Sequence, residues 1–435
     1  MRLEPTETLD RLLQASATAP GSWHPILDGL VNLLHVGRFQ VFEQVASDGQ
    51  GERVTLVASR GEGSDPLLIL CPVTLPPLDP VYPVETTRRD PDGGPLDGPL
   101  AGSGLEALAA ALAAATALDS EALSRPVCVV ATLGEGGSSS GLREILEHPE
   151  MKPSAAVVVA PTDLQPIGAH PGRITLELQV QRAMTHRRMP PTRGLTRLGI
   201  RGAAEESALD RIAIVLRQLS RGGEVHPLWL AAGDRADLVP LHGEMVVATS
   251  YETLPDLPPW VTIAPVEDGV SLPFPLDDVL EVWWRLAASL EPSPIPGRIR
   301  TGRDQVLGCL TWPLGAGLNP HEEVRHRLLQ VRAIHQELGP SLSVRARVRE
   351  STAPWSASVE HGPVLRGMLE AAGLTLDGAV SAPVVTEADL LQSNDCPAIV
   401  WGPGSGPRAP ASEEDCFAFS RQLVSVIKRH CARET

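Results

Sequence analysis

Short runs with almost no polar residue dominate the first 160 positions: Leu67–Cys71, Pro126–Leu133 and Ser154–Ala160. A strand that is apolar at nearly every position has to be buried on both faces, the condition of a strand inside a parallel sheet covered by helices on both sides. Between the runs lie an Ala/Leu helix at Leu105–Leu118, apolar nearly all round, and a helix opening at Leu142–Glu147. The same texture returns near the C-terminus, with helices at Pro363–Ala372 and Glu387–Gln392, a buried strand at Ala398–Trp401 and a helix at Glu414–His430. Alternating buried strands and helices predict an α/β fold with a doubly wound mixed sheet. Pro76–Pro99, rich in Pro, Gly and Asp, reads as loop.

The pattern changes after Gly172. Arg173–Gln181 alternates Ile174, Leu176, Leu178 and Val180 with polar residues, as a half-exposed antiparallel strand does. A helix around Glu205–Leu219, strands near Leu228–Leu230, Met245–Thr249 and Trp260–Ala264, an amphipathic helix at Pro275–Leu290, a strand at Gln305–Thr311, a helix at Pro320–Leu338 and a strand at Ser343–Arg349 follow. The expected organisation is one α/β domain from residues 1–171 and 351–435, interrupted by an inserted α+β domain, 172–350.

The chain has 435 residues, more than one compact core accommodates. Its net charge of −16 argues against a nucleic-acid partner. Lysine occurs only at Lys152 and Lys428, a bias expected of a GC-rich bacterial genome. The six cysteines form no C-x-x-C pair and sit mostly in apolar runs, so buried free thiols are expected. No apolar run approaches the ~18 residues of a membrane span, and Met1–Glu7 lacks a signal-peptide apolar core, so a cytoplasmic protein without a membrane partner is expected.

Five local motifs carry a more specific message. The first is the segment Leu67-Leu68-Ile69-Leu70-Cys71-Pro72-Val73-Thr74-Leu75-Pro76-Pro77, a strand to Cys71 that runs into Pro72. The others are Asp97-Gly98-Pro99-Leu100-Ala101-Gly102-Ser103-Gly104 leading into Leu105-Glu106-Ala107, then Ala131-Thr132-Leu133-Gly134-Glu135-Gly136-Gly137-Ser138, then Ala160-Pro161-Thr162-Asp163-Leu164, and Gly402-Pro403-Gly404 followed by Arg408-Ala409-Pro410. Together they resemble the co-catalytic zinc peptidases and deacylases of the acetylornithine deacetylase, succinyl-diaminopimelate desuccinylase and carboxypeptidase G type. That family has Gly-His-x-Asp-x-Val-Pro, Asp-Gly-x-Leu-Tyr-Gly-Arg-Gly, Thr-x-Asp-Glu-Glu-x-Gly-Ser, Glu-Pro-Thr-Asp-Leu and Gly-Pro-Gly … Ala-His at these places. In the insert, Thr185–Gly194, with His186, resembles the family's lid histidine motif, and Ala232–Pro240 its Gly-Gly-x-x-x-Asn-x-Val-Pro. The family's carboxylate-binding Arg falls at Pro313.

The resemblance implies a zinc-exopeptidase-like domain, a lid and dimerisation domain, and two zinc ions. It also implies where they would be held. Pro72 stands at a His ligand, Ala107 at the bridging Asp, Gly136 at a Glu, Ala160 at a carboxylate and Pro410 at the last His. None of the five has a side-chain donor. Glu106 is a neighbour of the bridging position, but one residue along a helix turns it about 100° away. Glu135 retains the place of the general base and His186 that of the lid histidine, though a carboxylate in such a Gly/Ser loop is more often simply solvated, and a basic surface turn accounts for His186 at least as well. Two zinc ions roughly 3.5–4 Å apart need a bridging carboxylate and imidazoles. The reading is therefore a degenerate family member with no cofactor: a pseudoenzyme acting as a binding, scaffolding or regulatory subunit, in a homodimer or a heterodimer with an active relative through the lid. The alternative is a hydrolase with relocated ligands or a metal-independent reaction using Glu135.

Overall fold

The structure, a computed structural model, describes residues 2–18, 24–47, 52–74, 87–89, 96–97, 102–134, 140–148, 151–182, 194–202, 206–220, 225–233, 239–249, 256–266, 277–302, 304–337, 342–358, 361–375, 380–381, 385–406 and 410–432. The chain divides into two compact units, Met1–Gly172 with Thr352–Thr435 (unit 1) and Arg173–Ser351 (unit 2).

Unit 1 begins with α1 (Pro5–Thr18), α2 (His24–Val36), β1 (Gln40–Ser47), β2 (Glu52–Arg60) and β3 (Leu67–Thr74). The short β4 (Arg88–Arg89) and β5 (Leu96–Asp97) come next, then α3 (Leu105–Thr116), β6 (Val127–Gly134), α4 (Ser140–Glu147), β7 (Ala155–Val158) and β8 (Ile167–His170). The chain then forms β9 (Gly172–Arg182), β10 (Gly194–Arg201), α5 (Ala208–Ser220), β11 (Val225–Ala232), β12 (His242–Thr249), β13 (Val261–Pro265), α6 (Asp277–Ser289), β14 (Ile295–Thr301), β15 (Gln305–Leu314), α7 (Pro320–Glu337) and β16 (Leu342–Thr352). It returns to unit 1 with β17 (Trp355–Ser356), α8 (Gly362–Ala372), β18 (Val380–Ser381), α9 (Ala388–Ser393), β19 (Ala398–Val400) and α10 (Glu413–Cys431).

The sheet of unit 1 has the order β1-β2-β6-β3-β7-β19-β8-β17, with β18 beside β8. Its centre is parallel: β3 pairs β6 and β7, and β19 pairs β7. β1 and β2 run antiparallel to their neighbours, and β8 runs antiparallel to β19 and β17 but parallel to β18, so the sheet is mixed. β3 is buried on both faces, as its sequence requires. Leu67, Ile69, Cys71 and Val73 face one core, with α1, α2, α3 and α10. Leu68 and Leu70 face the other. α3 is buried nearly all round. In α10 the Asp415 amide donates to Ser412 Oγ and the Ser412 amide to Asp415 Oδ2, which satisfies the helix's first donors. All six cysteines are buried free thiols.

Unit 2 is one sheet in the order β13-β10-β12-β11-β14-β15-β9-β16, with α5, α6 and α7 packed on one face. The α/β class with a second multi-stranded sheet is as read from the sequence. No helix among the described residues is long and apolar enough to cross a membrane.

Three local expectations are corrected. β3 continues through Pro72 to Thr74 rather than stopping at Cys71. β7 pairs β3 only as far as Leu70↔Val158, and the Val159 amide already donates to the Leu70 carbonyl (2.8 Å). By strand alternation Pro72 turns its missing N–H to the side where β7 has ended, so no ladder bond is lost. The Pro76–Pro99 segment contains the β4/β5 ladder, Arg88↔Asp97 and Arg89↔Leu96. β9 is not half-exposed: Thr175 and Glu177 are buried along with the apolar residues. Their polar atoms are satisfied across the sheet, Thr175 by Thr311 and Glu177 by two arginines. β8, β10 and β14 have no counterpart in the sequence reading. β14 carries Pro296 and Gly297, which weaken a strand signal, and its register slips there.

Candidate functional site at the ends of the parallel strands

In open α/β sheets, ligands sit outside the carboxyl ends of the parallel strands. At that pole the segments bearing four of the five positions come together. Pro72, at the end of β3, is met by the turn before α3. The left-handed Gly104 (φ 94°) brings its Cα so near that an added Cβ would lie 2.4 Å from the Pro72 carbonyl oxygen. The Thr74 amide donates to the Ser103 carbonyl (2.8 Å), locking the two segments. Ala107 follows in the first turn of α3, half-buried against the main core.

Ala160 lies two residues beyond β7 and is buried. Here Thr162–Leu164 is strapped to the turn after β19. The Asp163 amide donates to Gly404 (2.7 Å), the Leu164 amide to Gly402 (2.9 Å), and the Gly402 amide to Thr162 Oγ1 (3.1 Å). Asp163 and Leu164 both have positive φ, 55° and 59°. A Cβ on Gly402 would lie 2.6 Å from the Ala160 carbonyl. The matching motifs at 160–164 and 402–404 are thus two halves of one turn assembly, and Asp163 serves the turn.

Pro410 is half-buried two residues before Ser412, the cap of α10. A cavity of about 20 Å³, large enough for one water, is lined by Glu106, Ala411, Ser412, Glu413 and Thr6, among others, which sets the start of α10 beside the first turn of α3. Glu135, Gly136 and His186 lie outside the described residues.

The side chain that sequence reasoning undervalued is Glu106. It is 3% exposed, accepts a hydrogen bond from the Gly102 amide (3.3 Å) and faces the cavity. Its carboxyl is pushed up by burial, partly offset by backbone donors including Gly102 and Gly104. A raised folded pKa means the native state holds the proton more tightly than the unfolded chain. The contribution to stability is then full below the unfolded value near 4 and is lost as pH rises through the folded value. Glu106→Gln keeps an acceptor for Gly102 and removes the charge. The variant should melt with wild type at pH 4 and above it at pH 8. Parallel pH profiles of Tm would show that the carboxyl is not held protonated.

Two other constellations are structural. His430 Nε2 lies 2.8 Å from Ser154 Oγ, but that hydroxyl also has the Asp65 carbonyl 2.8 Å away. One hydroxyl proton serves both if the imidazole donates to Ser154 and Ser154 to Asp65, which leaves no base for the hydroxyl. Burial, helped by nearby Arg125, holds His430 below its usual range. Buried His170 bonds the Pro171 carbonyl (2.9 Å) and Thr386 Oγ1 (3.1 Å) and tilts against Trp355, so both ring nitrogens are engaged.

The chain matches known proteins at this point. Over 161 residues, 35% of this chain, it is 27% identical to acetylornithine deacetylase of Pasteurella multocida (strain Pm70), and the match spans 40% of that relative's length. Human carnosine dipeptidase 1 superposes with a TM-score of 0.53 at 11% identity, covering 97% of this chain and 95% of that one. The dipeptidase Dug1p from Saccharomyces cerevisiae gives 0.53 at 10% identity, covering 98% and 95%. The M20 family metallo-carboxypeptidase Sso-CP2 from Sulfolobus solfataricus gives 0.50 at 14%, covering 98% and 99%. The resemblance to the peptidase/deacylase family holds. No family model matches the chain. The M20 fold accounts for both sheets.

One expectation is overturned. The absence of any cofactor does not stand, because a protein with this fold, Sso-CP2, is a metallo-carboxypeptidase. The side chains at the four described positions nevertheless could not ligate a metal ion. Pro72, Ala107, Ala160 and Pro410 have no donor atom in their side chains. Glu106 is turned to the Gly102 amide, and Thr162 Oγ1 is taken by Gly402. Among the described residues no three His, Cys, Asp or Glu side chains gather to hold a metal ion.

Proposed function

We propose that this chain is a non-hydrolytic relative of the M20 peptidases and deacylases, a binding, scaffolding or regulatory subunit that pairs with another polypeptide through residues 172–350. One observation carries the reading: the strand ends that come together at the sheet's carboxyl pole present Pro72, Ala107 and Ala160, with Pro410 beside them. None of these side chains can polarise a scissile carbonyl or a water. A water that no cation polarises is far too weak an acid for a carboxylate near 4 to deprotonate at neutral pH. The six buried free thiols support a reducing compartment such as the bacterial cytoplasm.

The test is turnover. N-acetylornithine, other N-acyl amino acids and dipeptides should be hydrolysed by the purified protein, with zinc supplied, no faster than in buffer. Hydrolysis above that rate, abolished by a chelator and restored by metal, would overturn the proposal.

A further inference from the structure

The sheet of unit 2 has two unlike faces. On one, Ile174, Leu176, Leu178 and Val180 of β9, Ile299 of β14, and Leu310 and Trp312 of β15 join α5, α6 and α7 in a single core, with Val344 and Ala346 of β16 packed against it. Strand alternation sends the intervening residues to the other face. On β14 these are Arg298 and Arg300, and on β16 Arg345, Arg347 and Arg349. Glu177 of β9 stands between them, 2.7 Å from Arg347 and 3.5 Å from Arg349. The thiol of Cys309 on β15 feels Arg349, Glu177, Arg298 and Arg300 together, so these groups share one neighbourhood.

Glu177 lies between β14 and β16, and Glu244 of β12 is in register with Arg300 across Ala231, in a protein whose net charge is −16. Arg300, Arg345 and Arg347 are exposed. Arg300 and Arg345 have no carboxylate partner among the described residues. Along β16 the three arginines repeat every second residue, a spacing of about 6.7 Å, and β14 lies three strand spacings away, roughly 14 Å. Cys309, Thr311 and Thr175 between them are buried, so the accessible charges are Arg345 and Arg347 along β16 and Arg300 on β14, and charges repeating along a strand suit an extended chain better than a compact ligand. Guanidinium forks pair carboxylates bidentately.

We propose that this arginine face is the docking surface for an acidic polypeptide segment, whose Asp and Glu side chains pair with Arg345, Arg347 and Arg300. The proposal deepens the reading of the chain as a binding subunit by assigning the chemistry of the partner, and it rests on that reading.

The probe is a fluorescently labelled peptide of alternating Glu and Ser, titrated with the full chain at low salt. A protein of this net charge should repel it unless a local field attracts it. Binding is expected, and it should weaken as salt is added. It should fall at least about tenfold in Arg300→Glu/Arg345→Glu and less in Arg300→Gln/Arg345→Gln, with unchanged melting curves. Arg366→Glu, exposed on α8, should bind as wild type does. Absent binding, or equal binding by the reversed pair, overturns the proposal. So does inorganic polyphosphate binding where the peptide does not, or self-association of the protein that the reversed pair abolishes. Hydrolysis of dipeptides would sink the subunit reading while leaving this binding measurable; loss of binding without hydrolysis sinks the docking surface alone.

Discussion

Gly104→Val should destabilise unit 1 by about 3 kcal/mol or more. Two penalties act at one atom. Gly104 has φ 94°, outside the region a β-branched residue adopts, and such strain is worth on the order of 1–3 kcal/mol. The new Cβ would also fall 2.4 Å from the Pro72 carbonyl oxygen, backbone that no rotamer change can move aside. Relief requires lifting α3 off the end of β3, and α3 is packed on nearly every side. Urea unfolding read by the amide exchange of Thr74, which donates to Ser103 at the same contact, measures the effect. A shift below about 1 kcal/mol would mean that the contact between β3 and the α3 turn is looser than described.

Trp401→Ala should remove about 3–5 kcal/mol, the usual range for truncating a large buried aromatic. Trp401 is fully buried, meets Phe419 edge-on with centroids 5.8 Å apart, and donates from Nε1 to Gln422 Oε1 (3.3 Å). It joins the end of β19 to α10 immediately before the Gly402 turn that straps Ala160. The loss should therefore appear both as a lower Tm and as faster amide exchange at Asp163 and Leu164, whose donors reach Gly404 and Gly402. Trp401→Phe retains the ring contact and should lose less than half as much. Equal losses for the two variants would assign the effect to the indole hydrogen bond instead.

Much of unit 1 was legible because its signals are local. Leu67–Thr74 is apolar at positions that fall on alternating faces, so burial in two cores follows from the strand itself. Leu105–Thr116 is apolar all round and ends up enclosed. The signals failed where local chemistry is ambiguous. Pro296 and Gly297 disguise β14, and Arg and Gly199 disguise β10. Polar Thr175 and Glu177 made β9 look half-exposed, since nothing near them in the chain announces Thr311, Arg347 or Arg349. Glu106 was set aside on helical rotation alone, and the Gly102 amide that holds it belongs to a turn whose geometry depends on Gly102 and Gly104 both adopting positive φ.

The chemical character of each candidate position was decided by the sequence, because whether a side chain carries a donor atom depends on the residue and on nothing else. Pro72, Ala107, Ala160 and Pro410 lack one wherever they lie. Their meeting at one pole was decided only by the tertiary structure. It needs β3 parallel to β7, β7 parallel to β19, and the backbone contacts at Gly104 and Gly402, all between segments far apart in the chain. The same holds for the arginine face of unit 2. Alternation places Arg345, Arg347 and Arg349 on one side of a strand, but only the order β14-β15-β9-β16 sets Arg298, Arg300 and Glu177 beside them.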